Sequence, residues 1–388
     1  MKRQSGNGRT AVVLGAGGFL GAAWTLGALS AVQQTAGFDV SGADLIVGTS
    51  AGSVLAMMLR AGLTVEQLCD AQLAQDSPAQ LSASARSGTD IPDAPLTLPD
   101  FNAEADWRLP RPGLGSLPLL MHALRNPFRV APAALCSALV PKGRRRLTSI
   151  GGLIDALHDG RDWPTGTHIV ATDFQTGSRA VFGRGDGPRV SPARAVMASC
   201  AVPGWYEPVE VRQVPYIDGA VYSPCSVDLL EDAGCDEVYV LAPMASVEPD
   251  RPTTTFGRLE RAWRRIATNR TLAEVRKVRA TGARVHLLTP DADDLTVMGA
   301  NMMDVERRAD VLLTAREGMV RRLGIPAAQQ SGRLHELAGR ADGAGIGGGV
   351  GAGVGAGAQQ PAEVPRHAGD QSGVEGSPGD RPTLTPAA

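Results

Sequence analysis

Ser50 lies between Gly48 and Gly52 in the sequence GTSAG. The mostly apolar residues 44–47 before this segment predict a strand, and the sequence SVLAMMLRAG after it predicts a helix. A Gly-x-Ser-x-Gly motif between a strand and a helix is typical of a strained turn that exposes a nucleophilic serine hydroxyl. Serine is also a preferred N-cap residue, so Ser50 could instead only cap the helix. The motif alone supports both interpretations equally.

A second glycine-rich segment, AGGFLG, spans residues 16–21 and follows the apolar run at 11–14. Because glycine lacks a Cβ atom, the backbone amides of such a turn can converge on one negatively charged oxygen. The glycines could equally allow a strand and a helix to pack closely. A dinucleotide-binding turn requires Gly-x-Gly-x-x-Gly, but after Gly15 and Gly17 the third glycine position holds Leu20, and Gly21 comes one residue too late.

Asp218 is the third residue of interest, and Gly219 and Ala220 follow it. An Asp-Gly pair on its own is typical of a turn. The combination is more informative than any single motif. A glycine-rich segment that could bind an oxyanion is followed by a serine turn about 30 residues later and by an isolated Asp-Gly far downstream.

The ordered set AGGFLG, GTSAG and DGA resembles the patatin-like phospholipase family, which is related to the cytosolic phospholipases. The resemblance implies a serine–aspartate dyad in which Asp218 accepts the proton of Ser50 as Ser50 attacks an ester carbonyl. It also implies that the backbone amides of Gly17 and Gly18, with Phe19, form the oxyanion hole. The expected substrate is a lipid or phospholipid ester, which is cleaved through an acyl-enzyme.

Two residues depart from the pattern of the family, which commonly has glycine at the position of Ala16 and arginine or lysine at that of Leu20. Leu20 removes a positive charge near the expected oxyanion. An esterase for neutral lipids or simple esters is therefore one alternative. A non-catalytic lipid-binding protein on the same fold is a second, and a dinucleotide-binding module that uses the turn at Gly15–Gly21 is a third.

The histidines do not fit a catalytic triad. An α/β-hydrolase needs a serine, an acid and a histidine in that chain order. His286 follows Asp218, but it lies inside the strand-like segment 284–288, where a packed histidine is expected. The sequence therefore favours a dyad of Ser50 and Asp218.

The elements that must position these residues alternate between strands and helices, which predicts a mainly parallel sheet in a three-layer α/β/α domain. Strands are predicted at 11–14, 44–47, 168–172, 179–182, 237–242 and 284–288. Helices are predicted after Gly18, after Ser50 and at 193–201, 225–234, 258–282 and 302–323. Asp218 is expected on a loop that faces Ser50.

The domain organisation is expected to comprise a flexible N-terminus at 1–9, one acyl hydrolase domain at 10–325 and a disordered tail at 326–388. The tail is rich in Gly, Ala and Pro, so it cannot bury enough apolar surface to offset its ordering entropy.

Within the domain, residues 76–148 form a Pro/Ser-rich insertion that is a candidate lid. Its apolar part, residues 114–124, could be a flap over the site, an interfacial anchor or a core helix. The basic run at 142–146 favours a solvated loop over contact with acidic lipid head groups.

The composition limits the partners. The 38 Lys and Arg nearly balance the 40 Asp and Glu, so the net charge of −2 gives no long-range attraction to nucleic acid, and any peripheral membrane contact must be local. The five cysteines contain no Cys-x-x-Cys pair, and no metal or organic cofactor is expected. The apolar run near the start of the chain, residues 11–14, is only four residues long before Gly15, which predicts neither a signal peptide nor a membrane span. A cytoplasmic location is expected, and the oligomeric state is not indicated.

Overall fold

The computed structural model describes residues 8–73, 113–126, 130–158, 161–247 and 255–324. The predicted tail at 326–388, residues 1–7 of the predicted N-terminus and residues 76–112 of the predicted insertion lie outside these ranges.

Within the described residues, the strands form one eight-stranded sheet. They are β1 (Thr10–Leu14), β2 (Leu45–Thr49), β3 (Thr167–Asp173), β4 (Arg179–Phe182), β5 (Val209–Val211), β6 (Val214–Asp218), β7 (Glu237–Leu241) and β8 (Arg284–Leu288). The hydrogen-bonded order is β5-β6-β3-β2-β1-β7-β8, and β4 pairs with β3. The five strands β1, β2, β3, β7 and β8 run parallel, and the other three pair antiparallel. The predicted mainly parallel sheet is confirmed.

The helices of the described residues cover both faces of this sheet. They are α1 (Gly18–Ala36), α2 (Ala51–Arg60), α3 (Val65–Leu73), α4 (Leu117–Arg125), α5 (Pro132–Leu139), α6 (Thr148–His158), α7 (Pro192–Ser199), α8 (Thr255–Ala280), α9 (Ala292–Met298) and α10 (Arg308–Arg322). Short 3₁₀ helices lie at Val40–Gly42, Gly219–Val221, Val227–Leu230 and Val305–Arg307.

The sheet has a hydrophobic core on each of its two faces, because side chains alternate between the faces along each strand. On β1, Val12 and Leu14 face one side and pack with α1, α2 and α10. Ala11 and Val13 face the other side and pack with residues of α8. Because successive strand side chains point to opposite faces, both faces of the buried strands must be apolar and covered by helices. The predicted three-layer α/β/α architecture is confirmed.

Three predicted elements differ from the structure. Asp218 does not lie on a loop, because it is the last residue of β6 and pairs with Ala171 of β3. The helix predicted at 225–234 is only the 3₁₀ helix Val227–Leu230, since Ser226 adopts a left-handed conformation (φ 52°) that interrupts an α-helix. The last predicted helix begins at Arg308 rather than at residue 302.

The described part of the insertion contains α4 and α5, which pack against each other and against the end of β6. Leu119, Ala134 and Ala138 form a small core with Phe174 and Ile217. The segment 114–124, for which the sequence left three roles open, is therefore largely the helix α4, with one side in a core and another exposed. No helix among the described residues is both long enough and apolar enough to cross a membrane.

Candidate active site

The pairing of β3 brings two distant parts of the chain together. Along β3, the residues that pair with β4 overlap both those that pair with β2 and those that pair with β6. Because a strand has only two edges, β2 and β6 must share the edge of β3 opposite β4, where they lie end to end. The last residue of β2, Thr49, pairs with Val170. The next residue of β3, Ala171, pairs with Asp218 of β6. Ser50, which follows β2, therefore lies beside Asp218.

Ser50 occupies the turn between β2 and α2 in a strained conformation. Its φ of 53° and ψ of −125° lie in a region that residues other than glycine rarely adopt, and such conformations typically cost about 1–3 kcal/mol. The turn is held by other residues. The Ser50 amide donates to Ser199 Oγ at 2.9 Å, and its carbonyl oxygen accepts from the amide and the hydroxyl of Ser53 at 2.7 and 2.6 Å.

The Ser50 hydroxyl donates directly to the Asp218 carboxylate. The distance from Ser50 Oγ to Asp218 Oδ2 is 2.7 Å, and the two residues are 8% and 3% exposed. Because the contact is direct, no imidazole lies between the two side chains. His286, the triad candidate, lies on β8, where its Nε2 is 3.0 Å from Glu237 Oε1 and its ring stacks on Tyr239. The serine does not merely cap α2, because its side chain makes no cap hydrogen bond.

Burial dominates the electrostatics of Asp218. It raises the pKa of this carboxyl from 3.8 to about 6, although hydrogen bonds from Ser50 and from the Ala220 amide favour the ionised form. The backbone holds the residue in place, because Asp218 N donates to Ala201 O at 2.9 Å and Thr172 Oγ1 donates to Asp218 O at 3.0 Å. The result is a fixed carboxylate whose affinity for a proton is higher than usual.

The amides of the glycine-rich segment have two kinds of environment. Four of them donate to carbonyl oxygens of the protein, namely those of Gly15, Ala16, Leu20 and Gly21. Among the described residues, no acceptor is found for the amides of Gly17 or Gly18, which lie at the N-terminus of α1. Unpaired amides at a helix N-terminus favour a negatively charged ligand. The roles predicted for Gly17, Gly18 and Phe19 as oxyanion donors remain predictions.

Close packing explains two motif glycines on physical grounds. A Cβ atom on Gly52 would lie 2.1 Å from the carbonyl oxygen of Leu14 and 2.8 Å from that of Gly15, so the serine turn packs directly against the start of the glycine-rich segment. A Cβ on Gly219 would lie 2.4 Å from the carbonyl oxygen of Val170. All three distances are too short for a non-bonded contact, so the serine turn can pack on the glycine-rich segment, and the residue after Asp218 can pack on β3, only with glycine at these positions.

The side chain of Leu20 does not face the site, because it is fully buried in the core between the sheet and α1. Its amide donates to Met302 O at 3.1 Å. One of the amides that a pyrophosphate would use at this helix N-terminus is therefore bound within the protein. This contact does not favour the dinucleotide-binding alternative.

Ser199 is a residue that the sequence analysis did not identify. It is fully buried at the end of α7, accepts from the Ser50 amide and donates to Val170 O at 2.6 Å. It thus connects the strained turn to β3, and we interpret it as a positioning residue. No local motif or spacing relates residue 199 to residue 50, so the sequence offered no signal for it.

Replacing Ser199 with alanine is expected to lower kcat for ester hydrolysis by about 10- to 100-fold with little change in KM, because a small displacement of the nucleophile impairs attack more than binding. The measurement is steady-state kinetics on a soluble ester. Ser137→Ala is the matched control, since it removes another buried hydroxyl that donates to a carbonyl, at 2.6 Å from Ala134 O. If both variants behave alike, Ser199 has only a structural role.

The thiol of Cys200 is packed rather than reactive. Cys200 is buried 3.7 Å from Ser53 Oγ, and burial raises the pKa of its thiol, which opposes formation of a thiolate. Among the described residues, no group of three His, Cys, Asp or Glu side chains could hold a metal ion.

Comparisons with known proteins agree with the sequence motifs. The profile of the patatin-like phospholipase family matches residues 12–230, which is more than half of the chain and includes both Ser50 and Asp218. No curated protein matches this chain in sequence.

Two solved structures are similar to it. The first is VipD from Legionella pneumophila, with 14% identity and a TM-score of 0.38 over 82% of this chain and 67% of that one. The second is the type III effector protein ExoU, with 16% identity and a TM-score of 0.31 over 81% of this chain. This chain spans about half of the length of ExoU, 53%. On the family match, the chain belongs to the patatin-like phospholipase family, a family of lipid acyl hydrolases.

Proposed function

We propose that this protein is a serine acyl hydrolase that cleaves carboxylic ester bonds of lipids or phospholipids through an acyl-enzyme on Ser50. The observation that carries the proposal is the 2.7 Å hydrogen bond from Ser50 Oγ to the buried Asp218 carboxylate, formed at a strained turn between a strand and a helix. Membership of the family supports the same reaction class.

In the proposed acylation step, Asp218 Oδ2 accepts the proton of Ser50 Oγ as this oxygen attacks the carbonyl carbon of the ester. The carbonyl π electrons move to the oxygen and form a tetrahedral oxyanion. The amides of Gly17 and Gly18 are proposed to donate to it, and one such donor typically contributes about 3 kcal/mol to transition-state stabilisation. Collapse of the intermediate breaks the ester C–O bond, and the leaving alkoxide takes the proton from Asp218.

In the proposed deacylation step, Asp218 accepts a proton from water as the water oxygen attacks the acyl carbon of Ser50. The same amides bind the second oxyanion. Its collapse releases the carboxylic acid and returns the proton to Ser50 Oγ. The raised pKa of Asp218 suits both steps, because a base with a pKa near the working pH accepts and returns a proton efficiently.

The pH dependence of hydrolysis tests this proposal. The wild type is expected to hydrolyse short and long nitrophenyl acyl esters, with kcat/KM rising about tenfold per pH unit up to a pH of about 6 and then reaching a plateau. The sign follows from the mechanism, because only the ionised Asp218 can accept the proton. Release of nitrophenol is followed at its isosbestic wavelength, so that the signal does not depend on pH.

Two outcomes would contradict the proposal. Activity that does not decrease below pH 6 would exclude Asp218 as the base. A folded wild type that is inactive on both esters and on phospholipid vesicles would favour the alternative of a non-catalytic lipid-binding protein.

A further inference from the structure

Among the described residues, the exposed large apolar side chains are concentrated in one stretch of the chain. Of the twelve large hydrophobic residues that are exposed among the described residues, eight lie within residues 114–140 or at position 205. We define the hairpin surface as the described exposed side chains of residues 113–146 together with Trp205. Contiguous exposed apolar area of this kind is unusual on a protein surface and commonly marks a binding site.

The exposed residues of α4 and α5 follow helical spacing. On α4, Leu117, Met121 and Leu124 are 60%, 41% and 77% exposed and lie on one stripe. On α5, Leu135 and Leu139 lie one helical turn apart and are 40% and 56% exposed. The opposite side of each helix is buried, so the exposed stripes belong to helices that pack against the rest of the protein.

Backbone contacts join these stripes to Trp205 and to the basic run. The amides of Gly115 and Ser116 donate to Ala138 O, which holds the start of α4 against the end of α5. A Cβ atom on Gly143 would lie 2.3 Å from the carbonyl carbon of Trp205, so the basic run at 142–146 passes directly beside that tryptophan. The start of α4 therefore lies beside the end of α5, and the basic run lies beside the backbone of Trp205.

The charge of this segment differs from that of the whole chain. Residues 113–146 contain six Lys or Arg and no Asp or Glu, although the net charge of the protein is −2. Arg146 forms an ion pair with Glu207 at 3.1 Å, whereas Lys142 and Arg144 are exposed. Apolar side chains surrounded by cations complement a bilayer that contains anionic lipids. A second copy of this chain would bring like charges together, so the charge does not favour a dimer through this surface.

The hairpin surface is also connected to the proposed catalytic residues. Ile217, in the small core beneath α4 and α5, immediately precedes Asp218. The loop of Trp205 also contains Ala201, whose carbonyl oxygen accepts from the Asp218 amide. Because successive strand side chains point to opposite faces, Ile217 faces α4 and α5 while Asp218 faces Ser50, so the hairpin surface and the candidate site share the end of β6.

We propose that the hairpin surface docks the protein on bilayers that contain anionic lipids, with the leucines of α4 and α5 and Trp205 entering the interface and Lys142 and Arg144 contacting lipid phosphates. The location of the surface rests on its own exposure and charge. The reason for docking, delivery of a lipid ester to Ser50, rests on the proposed function.

Vesicle binding by the full chain tests this proposal. The Ser50→Ala background is used so that no lipid is hydrolysed during the measurement. We expect co-sedimentation with vesicles of equal parts phosphatidylcholine and phosphatidylglycerol, weakening with added salt, and much weaker binding to phosphatidylcholine alone. Leu117→Glu is expected to reduce binding by about tenfold or more, and Lys142→Gln with Arg144→Gln by about 25-fold.

The helix α8 provides a matched control on another part of the molecule. Ile266 is 63% exposed, like Leu117, and Arg265 beside it is exposed. The variants Ile266→Glu and Arg265→Gln should leave binding within about twofold, because α8 packs against β8, towards the end of the strand order away from β6, on which α4 and α5 lie. Loss of binding in these variants, with none in the Leu117 variant, would place the docking surface on α8 and overturn the proposal.

Cys136 offers a second, independent measurement. It is exposed on α5 between Leu135 and Leu139, whereas the other four cysteines are buried. An environment-sensitive fluorophore on Cys136 is expected to shift its emission to the blue on anionic vesicles. The same fluorophore on Ile266→Cys in a Cys136→Ser background should not shift.

Several outcomes would overturn the docking proposal. They are equal binding to neutral and anionic vesicles, no binding to either, an unshifted fluorophore on Cys136, and a self-associating chain that Leu117→Glu converts to a monomer.

Hydrolysis of a soluble short ester separates this test from that of the proposed function. With Ser50 intact, Leu117→Glu should keep this activity and lose hydrolysis of vesicle lipids. A wild type without soluble-ester activity would contradict the proposed function and leave the binding result intact.

Discussion

Replacing Ser50 with alanine is expected to lower kcat/KM for soluble esters by about 10⁴-fold or more, because no other described hydroxyl donates to the side-chain carboxylate of Asp218. The loss should appear in kcat, since the acyl-enzyme cannot form. Nitrophenyl ester kinetics measure the effect, and circular dichroism checks the fold. A fluorophosphonate probe should modify the wild type at Ser50, as located by mass spectrometry, and leave the variant unmodified.

Ser53→Ala is the matched control for this prediction. Ser53 lies one turn along α2, is buried, and donates its hydroxyl to the carbonyl oxygen of Ser50 at 2.6 Å. Its removal should cost less than about tenfold in kcat/KM, because the Ser50 amide and side chain keep their partners. A Ser50→Ala protein that retains wild-type activity would exclude Ser50 as the nucleophile.

Replacing Asp218 with asparagine is expected to lower kcat/KM by about 10³- to 10⁴-fold and at the same time to stabilise the fold above pH 6. The activity is lost because an amide cannot accept the serine proton. The fold gains stability because the ionised carboxylate, which is costly to bury, is replaced by a neutral group of nearly the same shape.

The pH dependence of this stability follows from the pKa values. The carboxyl titrates at 3.8 when exposed and at about 6 when folded, so the folded wild type holds its proton more tightly. Wild-type stability from this group is therefore fully present below pH 3.8 and is lost as the pH rises through about 6. A shift of this size corresponds to at most about 3 kcal/mol. At pH 8 the variant should exceed the wild type by about 1–3 kcal/mol, with the difference disappearing towards pH 4.

Denaturant titrations at several pH values measure the free energy of unfolding of both proteins. Asp186→Asn is the control, because the side chain of Asp186 is 72% exposed and its replacement should change stability by less than about 0.5 kcal/mol. An Asp218→Asn variant that is less stable than the wild type at pH 8 would show that the charge of Asp218 is stabilising, contrary to our interpretation.

The parallel part of the fold could be predicted from the sequence because each strand is a short buried apolar run. The segments before the glycines, at 11–14 and 44–47, are strands β1 and β2 with bounds shifted by only one or two residues. A strand that is covered on both faces is apolar along its length, so its sequence predicts it without knowledge of the neighbouring strands. The candidate residues Ser50 and Asp218 were likewise identified from motifs, and the structure brings them into contact.

The antiparallel hairpin of β5 and β6 could not be predicted, which is why Asp218 was expected on a loop. Its turn is formed by Arg212 and Gln213, which have φ values of 49° and 67°. Hairpin turns with two positive φ values usually contain Asn-Gly or Asp-Gly, so this turn carries no sequence signal. Pro215 within β6 further argues against a strand by local rules, although it is tolerated where its missing amide is not needed.

The pairing of β2 and β6 along one edge of β3 also bears on how such a protein can diversify. Ser50 and Asp218 are separated by 168 residues, yet their distance is set by hydrogen bonds between adjacent strands. The segment of α4 and α5, which lies between β2 and β3 but outside the turn of Ser50, can lengthen, shorten or change composition without altering that distance. Evolution can therefore modify how the protein meets its substrate while the proposed chemistry is left unchanged. For protein engineering, this segment is the part to exchange when a different lipid surface or acyl chain is wanted.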